Sequence, residues 1–231
     1  MTKNERPTKT YLQKDPDTPG DRLYAPAVAR NRIPIRDVIQ KHLPARGTVL
    51  EIASGSGEHA IFIASANPDL LWHTSDPDPA ARRSIKAWME DAALANLFGP
   101  RKINAADEDW QLPNDMLFDA IVSINMVHIS PFNAAQGLFR GAAKYTANDD
   151  GPQKAKLLLY GPFTRNGEHT SASNVEFDQS LKARDQRWGV RDLDNEILPL
   201  AKKYGFSLSE IVEMPANNLS VIFEKDAPTK S

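Results

Sequence analysis

Two glycines, Gly55 and Gly57, follow directly on the short apolar run from Thr48 to Ala53. A strand that leads through glycines into a helix lets a ligand approach the backbone closely and offers it the free N–H groups at the start of the helix. An acid, Glu51, lies at the end of the strand beside the turn. This spacing of residue types indicates a site for a nucleotide-like ligand.

Acids also follow the next two predicted strands. Asp76 comes after the run Leu70 to Thr74, and Asp107 comes after a weaker run, Arg101 to Ala105. Residues 55–60 match the dinucleotide pattern G-x-G-x-x-G/A, and Asp76 lies about 20 residues on, where a ribose-binding acid is expected. A carboxylate suits two ribose hydroxyls because it has two acceptor oxygens. Asp78 competes for this role, and either acid would also serve as a helix N-cap.

A histidine, His128, follows the fourth predicted strand (Phe118 to Ile124) by a few residues. Its side chain could act as a general base near neutral pH, or it could simply be packed. Asn125 and Met126 leave the same strand at its carboxyl end, where open α/β sheets bind ligands. His59, near the start of the helix after the glycines, is as well explained by support of the turn.

Strands alternate with helices along most of the chain, which predicts an α/β fold with a parallel sheet. Helices are expected over 24–42, 59–66, 80–97, 131–145, 174–187 and 192–204, with Pro34 starting a second helix inside the first span. A fifth strand is expected from Ala155 to Tyr160. The last two strands, 206–214 and 219–224, are joined by four residues, too few for a parallel crossover, so they should pair antiparallel.

The turn and the acids together resemble the first motifs of class I S-adenosylmethionine-dependent methyltransferases, which also end their sheet in a hairpin. Ala53 stands where that pattern most often has glycine. The resemblance implies a Rossmann-like, mostly parallel seven-stranded sheet with helices on both faces and S-adenosylmethionine as cofactor, released as S-adenosylhomocysteine. It also implies that Glu51 lies under the methionine part of the cofactor and that Asp76 binds the ribose.

The same resemblance implies the remaining cofactor contacts. Asp107 would accept a hydrogen bond from the adenine amino group, and Trp110 or Leu112 would cover the face of the adenine ring. The backbone carbonyls of Asn125 and Met126 would hold the ammonium group of the cofactor. Many methyltransferases that act on bases have an Asn/Asp-Pro-Pro-aromatic motif at this place. The chain has Asn125-Met126-Val127-His128 there, which disfavours methylation of adenine or cytosine.

Further motifs are similar to those of the methyltransferase-like protein 26 family, also called domain of unknown function 938. They are Arg30-Asn31, the glycine turn through His59, Ser75-Asp76, residues 124–131, Tyr160 to Phe163, and the pieces of residues 173–192 that contain Asn174, Phe177 and Asp178. The similarity spans about residues 21 to 224. It implies the fold and the cofactor but no acceptor, and it places Arg30 and Asn31 in a lid rather than on a plain helix surface.

The segment 163–192 is polar and long for a crossover, as lids and binding elements are. Candidate acceptor-binding or lid residues are Arg30, Asn31, Tyr160, Asn174, Phe177, Asp178 and Arg184. A solvated helix would explain many of its charges equally well. We expect residues 1–20 and 226–231 to be tails around one domain, residues 21–225.

The amino-acid composition excludes some classes of site and disfavours some classes of partner. The 231 residues carry a net charge of -2 and include no cysteine, which excludes thiolate metal sites and disulfides and disfavours bulk nucleic-acid binding. No metal, no membrane association and a cytoplasmic location are expected. The favoured acceptor is a small molecule, with a protein side chain second and nucleic acid third. A non-catalytic cofactor-binding scaffold and an NAD-dependent oxidoreductase remain as alternatives.

Overall fold

Strands and helices alternate to build a seven-stranded sheet in the computed structural model, which describes residues 12–14, 20–147 and 154–227. The strands are β1 (Gln13–Lys14), β2 (Leu23–Tyr24), β3 (Gly47–Ile52), β4 (Leu70–Ser75), β5 (Leu97–Arg101), β6 (Ala120–Ile124), β7 (Lys156–Gly161), β8 (Phe163–Arg165), β9 (Glu168–His169), β10 (Arg191–Asp192), β11 (Phe206–Met214) and β12 (Asn218–Lys225). The helices are α1 (Val28–His42), α2 (Glu58–Ala66), α3 (Pro79–Ala92), α4 (Phe132–Tyr145), α5 (Ala172–Arg184) and α6 (Leu198–Lys203), with a π-helical turn, Leu193–Ile197, before α6.

The large sheet has the strand order β11-β12-β7-β6-β3-β4-β5. From β7 to β5 all neighbours are parallel, whereas β12 lies antiparallel to both β7 and β11. This confirms the predicted α/β class and the C-terminal hairpin. Because parallel strands share a direction, the carboxyl ends of β3, β6 and β7 meet at one edge of the sheet.

Both faces of the sheet are covered by helices. Along β7, Leu157 and Leu159 pack in one core together with α4 and α6, while Leu158 packs in the other with α1 and α2. All three leucines are fully buried. Such a strand reads as a continuous apolar run rather than an alternating one, which is why the sequence pattern located it.

Helix α1 continues through Pro34 without a break from Val28 to His42. The sequence suggested that a second helix starts at this proline. The ring removes one N–H donor, and the helix tolerates the loss because Ile35, Val38 and Ile39 bury its inner face against the sheet. Packing therefore outweighs the local preference here.

The third strand lies earlier than predicted. β5 covers Leu97–Arg101 instead of residues 101–105, and α3 ends at Ala92 instead of reaching Leu97. Gly99 and Pro100 are poor strand residues, so the propensities hid a strand that forms at the edge of the sheet, where proline is tolerated. Asp107 and Trp110 consequently stand farther from the strand end than expected.

Two glycines of α4 bring the helix against the segment that follows β5. A Cβ on Gly137 would overlap the carbonyl of Ala105, and one on Gly141 would overlap the ring of Trp110. The Trp110 ring is stacked on Tyr145 at a centroid distance of 5.7 Å. The helix and the segment therefore touch without intervening side chains.

A two-residue strand lies within the predicted N-terminal tail. Gln13 and Lys14 pair antiparallel with Tyr24 and Leu23, so these two residues differ from the predicted tail. The other residues of that predicted tail, 1–11 and 15–19, lie outside the described residues, as do 228–231 and the predicted turn at 148–153. Among the helices that the structure describes, none has the length and apolar character to cross a bilayer.

The segment 163–192 forms a small layer beside the main sheet. β8 pairs with β9 antiparallel and with β10 in parallel, and α5 lies between β9 and β10. The Ser171 hydroxyl accepts the N–H of Asn174 and caps α5, which begins two residues earlier and ends three residues earlier than predicted.

Candidate functional site

A cavity of about 500 Å³ opens at the carboxyl ends of β3, β6 and β7. The glycine turn after β3 forms one wall, the first turns of α1 form a second, and α5 closes the outer side. Leu12 and Gln13 from the N-terminal segment complete the lining. The volume lies in the range of small-molecule sites. The topology thus places a cavity where the sequence predicted the ligand.

The glycine turn takes an unusual backbone conformation. Ala53, Gly55 and Gly57 all have positive φ, at 60°, 61° and 96°. A Cβ on Gly55 would meet nothing nearer than a Leu12 methyl at 3.8 Å, so this glycine faces open space. A Cβ on Gly57 would lie 3.0 Å from the Cα of Ile85. Gly55 therefore leaves room for a ligand, whereas Gly57 lets α2 approach α3.

Glu51 lines the cavity from the end of β3 and is 1 % exposed. The indole Nε1 of Trp72 donates to its carboxylate at 3.2 Å. Removal from water raises the pKa of Glu51 to about 7, and the negative charge of Asp76 acts in the same direction. The carboxyl group is thus poised between its protonated and ionised forms near neutral pH.

Asp76 lies close by but does not line the cavity. Its carboxylate is fully buried and accepts the N–H of Gly55 at 3.0 Å and that of Asp78 at 2.9 Å. Asp78 in turn caps α3 by accepting the N–H of Ala80 at 2.8 Å. In this geometry Asp76 holds the glycine turn against β4, and its contact with ribose hydroxyls stays a prediction.

Asp107 and Trp110 are also away from the cavity. Asp107 is exposed and accepts from the amide of Asn104 at 2.9 Å. The Trp110 side chain is 4 % exposed and belongs to the core under α4. The predicted adenine contacts are not supported by this arrangement, because the shifted third strand moves both residues away from the strand ends.

Asn125 and Met126, which follow β6, direct their side chains to different places. Asn125 has φ of 62°, lines the cavity and donates its N–H to the Tyr160 carbonyl at 2.7 Å. The Met126 side chain turns into the core, where its sulfur accepts from the Ser130 hydroxyl at 3.4 Å. Asn125 is therefore placed to meet a ligand, and the side chain of Met126 is not.

His128 is fully buried and does not line the cavity. Its Nδ1 accepts the N–H of Arg191 at 3.2 Å, and its Nε2 has no hydrogen-bond partner in the part of the chain that the structure describes. Burial lowers the pKa of His128 to about 3, and the Arg191 charge adds to this effect. The His128 ring is bonded to the first residue of β10 and lies outside the cavity lining. A general base needs access to a ligand, and the catalytic role of His128 stays a prediction.

A polar network that the sequence did not predict lies on the α1 side of the cavity. The Asn31 Oδ1 is 2.9 Å from the Nε2 of His59, and both residues are nearly buried. Tyr160, 2 % exposed, belongs to the same network through a side-chain hydrogen bond with Asn31. All three line the cavity together with Arg30. Asn31 and His59 are 28 residues apart, and only the packing of α1 on α2 brings them together.

Helix α5 contributes Asn174 and Phe177 to the cavity. Asn174 donates its amide to the carbonyl of Asn217 at 3.0 Å, which ties the helix to the terminal hairpin. Asp178 instead pairs with Lys182 at 2.6 Å and accepts the N–H of Val190 at 2.8 Å. Asp178 and Arg184 do not line the cavity, so the segment supplies two of its four predicted contacts.

The described residues contain no group of three or more His, Asp or Glu side chains arranged to hold a metal ion. The charged side chains that do line the cavity are Glu51 and Arg30. With Gly55, Asn125 and Tyr160 they form a site for an organic ligand with both polar and apolar parts.

The fold is similar to that of several solved methyltransferases. Mitomycin 7-O-methyltransferase MmcR matches with a TM-score of 0.70 and 15 % identity over 87 % of this chain and 55 % of that chain. An O-methyltransferase family 2 protein from Planctomyces limnophilus, solved in complex with apigenin, matches with a TM-score of 0.69 and 15 % identity over 86 % of this chain and 59 % of that chain. CalO1, a methyltransferase in calicheamicin biosynthesis that was solved in its SAH-bound form, matches with a TM-score of 0.65 and 15 % identity over 86 % of this chain and 54 % of that chain.

The chain spans little more than half the length of these structures, and the low identity makes the likeness one of fold. A family model adds evidence from the sequence itself. The model described as "Protein of unknown function (DUF938)" matches residues 22–225, nearly the whole of the described chain. The protein therefore belongs to the DUF938 family.

Proposed function

We propose that the protein is an S-adenosylmethionine-dependent methyltransferase whose acceptor is a small molecule. Its fold is that of the methyltransferases it resembles, among them one solved with S-adenosylhomocysteine. The motifs similar to those of the methyltransferase-like protein 26 family support the same proposal. Fold alone does not determine function, which depends on the residues that line the cavity.

The observation that carries the proposal is the placement of Glu51 and Gly55 on one cavity. Glu51 brings a buried carboxyl group to the end of β3, and Gly55 leaves open space four residues later. An acid suits an ammonium group, and an open glycine suits the close approach of a ligand to the backbone. The residues present therefore fit the methionine end of S-adenosylmethionine.

When bound, S-adenosylmethionine would supply a methyl group on a positively charged sulfur. Glu51, Ala53, Gly55 and Asn125 are the residues that would hold it, because they line the cavity at the strand ends. Asp76 would act on the cofactor indirectly, by fixing the N–H of Gly55. We do not extend the assignment to Asp107, Trp110 or the Met126 side chain.

The acceptor would lie between Tyr160, Arg30 and Asn31 on one side and Asn174 and Phe177 on the other. The cavity volume of about 500 Å³ favours a small molecule over a protein side chain, and the net charge of -2 disfavours nucleic acid. Because His128 is buried away from the cavity, catalysis would depend on positioning and exclusion of water.

The proposal is tested by calorimetric titration of the protein with S-adenosylmethionine, S-adenosylhomocysteine and NAD. We expect micromolar binding of the first two and none of NAD. Gly55→Ala should weaken that binding at least tenfold, because its Cβ enters the cavity. Gly205→Ala is the matched control: Gly205 also has positive φ, 74°, and open surroundings, but it lies outside the cavity.

The remaining results discriminate the alternatives. Binding of NAD alone would assign the turn to a nicotinamide cofactor and overturn the proposal. Binding of S-adenosylmethionine with no S-adenosylhomocysteine formed, across a broad panel of small-molecule acceptors, would favour a non-catalytic scaffold. Formation of S-adenosylhomocysteine that depends on one acceptor would establish the enzyme.

A further inference from the structure

One corner of the cavity carries a cation without a matching acid. Arg30 is the positively charged side chain among the described lining residues, and Glu51 is the negatively charged one. No carboxylate of the described residues forms an ion pair with Arg30. By contrast, Arg36 on the same helix pairs with Asp37 at 2.6 Å and lies over the ring of Phe62. Arg30 is thus available to a ligand.

The network next to Arg30 fixes the direction of its hydrogen bonds. Burial and the charge of Arg32 lower the pKa of His59 to about 4, so its imidazole is neutral at neutral pH. The Asn31 Oδ1, 2.9 Å from the Nε2 of His59, can only accept, so His59 carries its proton on Nε2. The amide oxygen of Asn31 is thereby engaged, and its NH₂ group is left to donate.

Tyr160 receives that donation. Burial raises the pKa of the Tyr160 hydroxyl, while the hydrogen bond from Asn31 and the charge of Arg30 lower it. Because the Asn31 oxygen is engaged with His59, the Asn31 NH₂ group is the donor in its hydrogen bond with Tyr160, and the phenol oxygen accepts. The hydroxyl is therefore protonated at neutral pH, accepts from Asn31, and has its own O–H to offer to a ligand.

We propose that Arg30 and Tyr160 together recognise a carboxylate on the methyl acceptor, so that the acceptor is a small carboxylic acid with an apolar body. The inference rests on the proposed methyltransferase function and deepens it. A guanidinium and a hydroxyl donor match the two oxygens of one carboxylate. The neighbouring lining residues Val28, Ile124, Ile129, Pro162 and Phe177 are apolar and suit the remainder of such a molecule.

The charge distribution also orients the acceptor. Glu51 lies at the end of β3 beside the glycine turn, and a carboxylate placed there would be repelled whenever Glu51 is ionised. The acid group would therefore bind at Arg30, and the rest of the molecule would extend toward the cofactor held at the glycine turn. Asn31 and His59 are positioning residues in this arrangement, because they act through Tyr160.

The test uses benzoate and its neutral analogue benzamide as probes. Each is titrated by NMR into the full-length protein with and without saturating S-adenosylhomocysteine. The test variants are Arg30→Met and Tyr160→Phe. Their matched controls are Arg36→Met, on the same helix, and Tyr204→Phe, in the loop after α6, since neither residue lines the cavity.

We expect wild-type protein and both controls to bind benzoate about tenfold more tightly than benzamide. Arg30→Met should abolish this preference, and Tyr160→Phe should weaken benzoate binding severalfold while leaving benzamide nearly unchanged. Equal binding of the two probes by the wild type, or an undiminished preference in Arg30→Met, would overturn the inference.

The same titrations separate this inference from the proposed function. If S-adenosylhomocysteine binds but the benzoate preference is missing, the methyltransferase proposal stands and the acid-binding corner fails. If the preference is present but S-adenosylhomocysteine does not bind, the carboxylate site at Arg30 and Tyr160 is supported and the cofactor assignment fails. The folded state of each variant is checked by its thermal unfolding midpoint.

Discussion

Glu51 and Asp76 are buried acids on neighbouring strand ends, yet their surroundings are opposite. Asp76 accepts two backbone N–H groups, those of Gly55 and Asp78, and does not reach the cavity. Glu51 is hydrogen-bonded to two side chains, the Trp72 indole and the Ser54 hydroxyl, and lines the cavity, and burial raises its pKa to about 7. The two carboxylates differ in the kind of donor that each receives: backbone N–H groups of the turn for Asp76, and side chains for Glu51.

This difference separates residues that build the site from residues that face the ligand. An acid whose oxygens accept backbone N–H groups stabilises a loop, whereas a buried acid that lines a cavity and has a raised pKa is a candidate for ligand binding. The two glycines of the turn differ in the same way, because Gly57 packs against Ile85 whereas Gly55 faces open space.

The largest effect is expected for Asp76→Ala. Removal of its carboxylate breaks two hydrogen bonds to a charged acceptor, those from the part-buried N–H groups of Gly55 and Asp78, and should cost about 3–4 kcal/mol of unfolding free energy. Urea unfolding measures this, with Asp115→Ala, at an exposed position, as the control. A stability loss below about 1 kcal/mol together with lost cofactor binding would instead make Asp76 a ligand-facing residue.

Glu51→Gln should change how stability depends on pH. The folded-state pKa of about 7 lies above the usual 4.5, so the folded protein holds this proton more tightly than the unfolded chain. Stability should therefore fall as pH rises from about 4.5 to 7, by about 3 kcal/mol in all. The Glu51→Gln variant lacks this fall, and its unfolding free energy should exceed that of the wild type at pH 8 but not at pH 4.5. Parallel curves for the two proteins would contradict the raised pKa.

The two glycines should respond differently to alanine. Gly57→Ala should cost about 2–3 kcal/mol, because it combines positive φ with a Cβ only 3.0 Å from the Ile85 backbone. Gly55→Ala should cost about 1 kcal/mol, for backbone strain alone. Thermal unfolding compares them. Equal losses would remove the distinction between the two positions.

The smallest effect is expected for Asp78→Ala. Asp78 caps α3 through the N–H of Ala80, and loss of an N-cap costs about 1 kcal/mol. Calorimetric titration should show S-adenosylhomocysteine affinity close to that of the wild type, because the Asp78 side chain does not line the cavity. A tenfold loss of affinity would transfer to Asp78 the ribose role once predicted for Asp76.

The sequence predicted the sheet well because its central strands carry continuous apolar runs, as at residues 156–161. It also located the glycine turn, Glu51 and Asn125 at the cavity. The β5 strand was misplaced because Gly99 and Pro100 suppress the strand signal. The two-residue strand Gln13–Lys14 is too short to show a pattern of its own.

Which of the predicted site residues line the cavity depends on contacts that the sequence does not show. Hydrogen bonds between distant segments decide whether a side chain is bonded internally or faces the cavity, and a motif does not show them. His128 is bonded to Arg191, 63 residues on, and His59 reaches Asn31, 28 residues back. Trp110 was assigned to a ligand because the contact with Gly141 that buries it is invisible in the sequence.

The two glycines of α4 bear on which amino-acid changes the chain can tolerate. Because Gly137 and Gly141 touch Ala105 and Trp110 directly, even a methyl group at either position requires the helix to move away from the segment that follows β5. Most surface helix positions accept many residue types, but these two accept one. Random mutagenesis with selection for soluble protein should therefore recover changes at neighbouring exposed positions such as Gln136 and almost none at the two glycines.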